Sequence, residues 1–122
     1  MNKIFYTDVA NDLRTIIKGD ISILESDREK AARDTSLFYV KPRIVVYPKS
    51  KEDIAKLVAY VHAKKTKDIY QGVPLSLTMR AAGTCMTGGP LSESIVVDTM
   101  RYMNHVFSVT DTEAITEPGV YY

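Results

Sequence analysis

The residues best suited to chemistry lie in one stretch, residues 79–90, where small side chains are concentrated. Gly83, Gly88 and Gly89 can adopt positive φ angles and carry no Cβ that would keep a ligand away. Backbone that turns in this way directs successive N–H groups into one concavity, and such concavities bind anions, phosphate above all. The sequence therefore predicts an anion-binding loop here.

The surroundings of the loop leave two interpretations open. Apolar runs at residues 74–79 and 94–98 flank it, so it is predicted to join two strands, and Thr84 and Thr87 add hydroxyl donors. It is not a P-loop, because no Gly-Lys-Ser/Thr follows, and a dinucleotide fingerprint would open a helix, whereas Pro90 precedes a strand-like segment. The loop is either a phosphate site or a plain glycine-rich connection.

Other reactive side chains are few. Cys85 lies among N–H groups that can lower a thiol pKa, but the favoured interpretation is a serine-sized side chain that packs. His62 and His105 have no Cys, His or carboxylate partners at metal-ligand spacing, so both are interpreted as structural and no metal site is predicted. Arg33 and Asp34 are interpreted as a surface pair, which contributes little energy.

Composition excludes several classes of function. The chain has 122 residues, 45% hydrophobic and 25% charged, as in a small globular domain. A net charge of +1 gives no strong attraction to nucleic acid or to an anionic membrane, and the tyrosines form no stacking array. A single cysteine suits a reducing compartment. Neither a signal peptide nor a membrane span is recognisable, so we expect a cytoplasmic protein.

Apolar periodicity predicts the elements that position the loop. The predicted helical segments are residues 7–18, a charged turn or short helix at 26–32, and a helix that follows the capping pattern of Ser50 and Asp53 and carries Ile54, Leu57, Val58 and Val61 on one face. The predicted extended segments are residues 20–24, 32–39, 41–48, 74–79 and 94–98, followed by a hairpin of 105–109 with 113–116. Residues 66–73 are predicted to form a surface loop. A strand–helix–strand crossover suits a parallel pair, so the expected fold class is α+β, with a small mixed sheet, a crossover helix and an N-terminal helical segment.

The loop also resembles a known one. The run Arg80-Ala81-Ala82-Gly83-Thr84-Cys85-Met86-Thr87-Gly88-Gly89 is similar to the R-G-x-G-T-S-x-x-G-G loop of FAD-linked oxidases. These belong to the vanillyl-alcohol oxidase / p-cresol methylhydroxylase superfamily, and the resemblance is greatest to the glycolate oxidase and D-lactate dehydrogenase type. Two positions depart from the pattern. Ala81 replaces a glycine and so requires a negative φ, and Cys85 replaces a serine and weakens its hydrogen bond.

Flanking segments extend the resemblance over residues 32–120. Residues 33–36 resemble the family's Arg-Asp-x-Ser lead-in, and residues 42–58 its P-x-x-V-V-x-P-x-S-x-E-D-I-x-x-L-V pattern. Residues 99–104 resemble its D-L-S-R-M-N turn and residues 117–120 its x-P-G-V exit. The resemblance implies an N-terminal helical lead-in over 1–35 and the first lobe of an FAD-binding domain over 36–122, as a fragment of a longer protein. Asp98 could contact the adenosine, but holding the following turn is the favoured interpretation.

The cofactor implied by the resemblance is non-covalent FAD, because Thr84 stands where relatives with covalent flavin carry histidine. The implied cofactor-binding residues are Arg80, Ala81, Ala82, Gly83, Thr84, Cys85, Thr87, Gly88 and Gly89. No catalytic residue is implied within this chain, and the fragment by itself is expected to be inactive.

The implied activity is that of an FAD-dependent oxidoreductase acting on a D-2-hydroxy acid such as D-lactate, glycolate or D-2-hydroxyglutarate. The expected partners are the remainder of the protein's own chain, a second FAD lobe and a cap domain, together with the hydroxy-acid substrate. The alternative, from another class, is a non-enzymatic phosphate- or nucleotide-binding module.

Overall fold

Two adjacent parallel strands form the centre of the molecule. The computed structural model describes residues 2–65 and 75–121. Strands β2 (Ile44–Tyr47) and β4 (Ile95–Asp98) pair in parallel, with Val45 opposite Val96. Both are β-branched runs buried on both faces, which suits central strands and confirms the strands predicted at 41–48 and 94–98.

Shorter strands flank this pair, and the order in the sheet is β1-β2-β4-β3. Strand β1 (Asp20–Ser22) runs antiparallel to β2, and β3 (Leu77–Arg80) runs parallel to β4. The two strands joined by the crossover, β2 and β3, are therefore parallel as predicted, but β4 lies between them. Strand β4 takes the central position because its side chains are apolar on both faces, whereas β3 has half-exposed side chains that an edge tolerates.

Two long helices, α1 (Asn2–Ile16) and α3 (Lys51–Lys65), contribute to one apolar core. Apolar side chains at helical spacing predicted both helices, although α1 begins at Asn2 rather than at residue 7. The core also contains the inward side chains of the central strands. Its buried members are Phe5, Tyr6, Val9, Ala10, Leu13, Ile17, Ile44, Val46, Leu57, Val61, Leu75, Ile95 and Val97. Helix α1 thus shares its core with the sheet, and the boundary predicted at residue 35 stays a prediction.

One buried carboxylate ties the start of α3 to the end of the first helical segment. Asp53 is only 2% exposed and accepts N–H hydrogen bonds from Lys18 at 2.9 Å, Gly19 at 3.0 Å and Lys49 at 3.0 Å. Ser50 Oγ accepts the N–H of Asp53 at 3.3 Å, as the capping pattern predicted. Asp53 therefore joins the α1–β1 turn to the β2–α3 turn as well as capping the helix.

The strand predicted at residues 32–39 is wrong. Only an isolated bridge between Arg33 and Tyr39 is present, and the residues between them form bends. The N–H of Ser36 donates to Asp34 Oδ1 at 2.8 Å, a local side-chain bond that stabilises a turn instead of a ladder. The charged segment before it forms the short helix α2 (Glu25–Lys30).

The predicted hairpin is confirmed as β5 (Val106–Val109) and β6 (Ala114–Thr116), and its side chains are exposed throughout. In α3, Val58 is 54% exposed instead of buried, because the buried stripe through Leu57 and Val61 is too narrow to include it. The loop predicted at 66–73 lies outside the described residues, as does the first residue of the 74–79 strand. No described helix has the length and apolar character needed to cross a membrane.

Candidate functional site

The predicted anion loop connects β3 to β4, as the flanking apolar runs indicated. It leaves the sheet at the carboxyl end of a parallel strand, the position at which open α/β sheets bind ligands. An open hollow of about 300 Å³ lies against it. The lining residues are Met79, Arg80, Ala81, Ala82, Gly83, Thr84, Cys85, Gly89 and Pro90. Thr87 and Gly88, which the sequence also predicted as cofactor-binding residues, are not among them.

Two of the three loop glycines adopt conformations that favour glycine. Gly83 has a φ of +72° and Gly88 a φ of +81°. A Cβ on Gly83 would lie 2.2 Å from Arg80 Nη2, and one on Gly88 would lie 3.0 Å from Phe38 Cδ2. No described residue other than glycine has a positive φ. Ala81 therefore has the negative φ that an alanine at this position of the loop requires.

The loop divides into a part with free N–H groups and a part whose N–H groups are engaged. No described residue accepts a hydrogen bond from the N–H groups of residues 82–86. By contrast, the N–H of Gly88 donates to Asp34 Oδ2 at 2.9 Å, and the N–H groups of Thr87 and Gly89, after the Thr87 hydroxyl, help to lower the pKa of the Cys85 thiol. The first part can therefore donate to a ligand without losing an internal bond.

Arg80 supplies the positive charge of the loop. Its guanidinium lies over Gly83 and donates from Nη1 to the carbonyl of Ala31 at 3.4 Å, a long hydrogen bond. Residues 80–82 also line a second hollow of about 220 Å³, on the side of Asp98 and Tyr121. The two hollows thus adjoin at these residues, and Arg80 borders both.

The thiol of Cys85 interacts with the second half of the loop. Its Sγ lies 3.2 Å from the hydroxyl of Thr87. That hydroxyl, together with the N–H groups of Thr87 and Gly89, lowers the pKa of the Cys85 thiol. The sulfur thus contacts the second half of the loop, and the interpretation of Cys85 as a packed, serine-sized side chain stays a prediction.

The remaining candidates have structural roles. Asp98 Oδ1 accepts the N–H of Met100 at 2.8 Å, which confirms that it holds the following turn, and burial raises the pKa of the Asp98 carboxyl. His105 donates its backbone N–H to Glu117 Oε2 at 2.9 Å, and its ring contacts the same carboxylate. Over residues 2–65 and 75–121 no three metal-ligating side chains form a group that could hold a metal ion.

Comparison with known families shows the kind of domain that carries the loop. A family model described as "FAD binding domain" matches residues 42–122, which include both central strands and the whole loop. The chain belongs to the FAD binding domain family. The resemblance read from the loop and its flanking segments is thereby confirmed, as is FAD as the cofactor of the family.

Curated relatives of this FAD binding domain are much longer than the chain. The chain is 32% identical over 95 residues to D-2-hydroxyglutarate dehydrogenase of Escherichia coli (strain K12). This alignment covers 78% of the chain and 9% of that protein. For the proteins of the same name from Pseudomonas putida and Haemophilus influenzae, the identities are 28% over 96 residues and 27% over 110 residues. These alignments cover 79% and 89% of the chain but 9% and 10% of those proteins.

A solved structure confirms the fold class. The FAD binding domain is similar to 6-hydroxy-D-nicotine oxidase from Arthrobacter nicotinovorans, with a TM-score of 0.58 and 22% identity over 75% of this chain and 18% of that one. The α+β architecture, with a mixed sheet and a crossover helix, is thus shared with a solved structure.

The residues of the loop fit the diphosphate part of FAD. A pyrophosphate requires hydrogen-bond donors, positive charge and close approach of the backbone. Residues 82–86 offer consecutive free N–H groups, Arg80 offers a guanidinium, and Gly83 leaves space that a Cβ would fill.

Sequence reasoning missed two residues that contact this loop, Asp34 and Thr35. Both were placed in or beside an expected strand, and Asp34 was interpreted as half of a surface ion pair. The only signal was the Asp-x-Ser spacing, which is typical of a local turn and carries no information on what the turn touches.

Proposed function

We propose that the loop over residues 80–89 binds the pyrophosphate of non-covalent FAD. The observation that carries this proposal is the run of free N–H groups at residues 82–85 beside the Arg80 guanidinium, in a hollow at the carboxyl end of β3. The full set of proposed cofactor-binding residues is Arg80, Ala81, Ala82, Gly83, Thr84, Cys85, Thr87, Gly88 and Gly89. Within it, we assign the direct N–H contacts to residues 82–85 and a shaping role to Thr87, Gly88 and Gly89.

The proposal extends to the protein that contains this domain, an FAD-dependent oxidoreductase that oxidises a D-2-hydroxy acid. Support comes from the names of the curated relatives, all D-2-hydroxyglutarate dehydrogenases. Bound FAD would supply the two-electron redox chemistry, while this chain binds and orients it. No residue of the chain is assigned a catalytic role, and the single cysteine supports a reducing compartment, so the cytoplasm is part of the proposal.

The proposed partners are a second FAD lobe and a cap domain from the same protein. The hairpin of β5 and β6 supports this, because it exposes apolar side chains on both of its strands. Phe107 is 66% exposed and Val109 is 70% exposed. Exposed apolar side chains grouped in this way mark surfaces that other protein normally covers.

The proposal is tested by isothermal titration of the 122-residue chain with FAD, ADP and sodium pyrophosphate. We expect FAD to bind most tightly and pyrophosphate to compete with it, because both use the same N–H groups. Arg80→Ala should weaken all three ligands, whereas Arg14→Ala, which removes the same charge from an exposed position on α1, should weaken none. Equal weak binding of the three ligands would favour a generic anion loop, and absence of binding would contradict the proposal.

A further inference from the structure

The segment at residues 32–40 closes on itself and packs beside the loop. The N–H of Val40 donates to the carbonyl of Ala32 at 3.0 Å, and Arg33 bridges to Tyr39. The guanidinium of Arg33 lies 4.8 Å from the centre of the Tyr39 ring. These contacts make residues 33–39 a closed turn with its own internal bonds, which can act as a support for another segment.

Asp34 and Thr35, in this turn, form hydrogen bonds with one side of the loop. Thr35 Oγ1 lies 2.9 Å from the carbonyl oxygens of both Thr84 and Cys85, so that its single O–H is shared between them, and the N–H of Thr35 donates to the Cys85 carbonyl at 3.1 Å. Asp34 Oδ2 accepts the N–H of Gly88 at 2.9 Å. These bonds join residues about fifty positions apart in the sequence, and together they hold the loop at Thr84, Cys85 and Gly88.

The bonds from Thr35 decide which way two N–H groups of the loop face. In a trans peptide the C=O of one residue and the N–H of the next point in opposite directions. Because the carbonyls of Thr84 and Cys85 face Thr35, the N–H groups of Cys85 and Met86 face away from it. Both belong to the run of free N–H groups at residues 82–86.

Asp34 acts on the other end of the same turn. Its carboxylate engages the N–H of Gly88, which follows the free run, and is itself held by the N–H of Ser36 at 2.8 Å and by the Ser36 hydroxyl. The ring of Phe38 lies against Gly88 on the same side. The positive φ of Gly88 is thereby fixed by contacts from the 33–39 turn.

We propose that Asp34 and Thr35 are positioning residues for the anion loop: they orient its peptides so that the free N–H groups face a diphosphate. The inference rests on the proposed function of the loop. Asp34 is negatively charged and lies beside the proposed anion site, so its charge by itself would repel a bound diphosphate. Its favourable contribution to binding must therefore come from the orientation that it gives to the loop.

Because the two effects of Asp34 oppose each other, the direction in which Asp34→Ala changes pyrophosphate affinity shows which of them dominates. Coulomb interactions alone predict that Asp34→Ala strengthens pyrophosphate binding, because a negative charge is removed. Positioning predicts the reverse, about three- to tenfold weaker binding, because the N–H of Gly88 loses a charged acceptor and the turn loosens. Asp34→Asn keeps an acceptor oxygen and removes the charge, so it should bind pyrophosphate at least as tightly as the wild type.

Thr35 offers an uncharged version of the same test. Thr35→Val keeps the shape of the side chain and removes the hydroxyl that bonds two carbonyls, so binding of pyrophosphate and FAD should weaken about threefold or more. Thr35→Ser restores the hydroxyl and should restore binding. Asp111→Asn and Thr112→Val, at the exposed hairpin turn, are the matched controls for loss of charge and loss of hydroxyl.

The measurements are Kd by isothermal titration with sodium pyrophosphate and with FAD, on the 122-residue chain. Hydrogen exchange of the Gly88 amide should accelerate in Asp34→Ala, and thermal melting checks that each variant is folded. If the wild type binds neither ligand, the function of the loop and this inference both fail. If the wild type binds and Asp34→Ala binds equally or more tightly, only the positioning role is overturned.

Discussion

Replacing Gly83 by alanine isolates the backbone conformation of the anion loop. Gly83 has a φ of +72°, and holding an L-residue there costs about 1–2 kcal/mol. If the free loop relaxes to avoid this strain, a ligand that needs the original conformation must restore it. We therefore expect the Kd of FAD and of pyrophosphate to rise about 5- to 30-fold, the factor that corresponds to this free energy.

A second contribution comes from Arg80, because the new Cβ would lie 2.2 Å from its Nη2. The guanidinium is the end of a flexible side chain and can move, but it would leave its position over Gly83. A double-mutant cycle separates the two effects. In an Arg80→Ala background, Gly83→Ala retains the backbone cost and loses the clash, so its effect on Kd should be smaller than in the wild type.

The assay is isothermal titration of the four proteins of the cycle, with urea unfolding to measure their stability. Gly89→Ala is the matched control, because Gly89 lacks a positive φ and its added Cβ would meet only Cys85 Sγ, at 3.2 Å. We expect it to change Kd less than threefold, since the sulfur has only a few tenths of an ångström to move. Binding by Gly83→Ala within twofold of the wild type, or equal losses in the two alanine variants, would refute the reasoning.

Three further predictions address the scaffold and the activity. Asp53→Ala removes an acceptor shared by three backbone N–H groups and should lower the free energy of unfolding by about 3 kcal/mol or more in urea titrations; an effect under about 1 kcal/mol would contradict the role assigned to Asp53. The Tyr60 hydroxyl lowers the pKa of Asp12, and the Tyr102 hydroxyl lowers that of Asp20, so their contribution to stability is present above the unfolded-state pKa of about 4 and is lost as the pH falls through the lower folded values. Urea midpoints from pH 6 to pH 2 should therefore decline most steeply below about pH 4, and less so in the Asp20→Asn variant. The purified chain with added FAD should show no turnover of D-lactate or D-2-hydroxyglutarate with an artificial electron acceptor, because no residue in it is assigned to proton or hydride transfer; robust turnover would contradict that assignment.

Much of the fold could be predicted because its signals are local. The runs Ile44–Tyr47 and Ile95–Asp98 are β-branched and apolar on both faces, which is typical of buried strands wherever they occur. The hairpin of β5 and β6 was visible in its alternating segments and polar turn. Val58 was misassigned because periodicity gives the direction of the buried face of a helix but not its width.

The candidate site also has features that the sequence predicted and features that only the tertiary structure showed. By itself the sequence predicted the position of the glycine-rich loop and the FAD-linked family, because short motifs are properties of neighbouring residues. It marked Gly83, Gly88 and Gly89 alike as able to adopt a positive φ, and the structure showed that only Gly83 and Gly88 do so. Only the tertiary structure decided that β4 separates β2 from β3, that Asp53 bonds Lys18 and Gly19, and that the turn carrying Asp34 grips the loop. Those choices depend on hydrogen bonds between residues 18 to 54 positions apart, and such bonds form only once the shared core has brought the segments together.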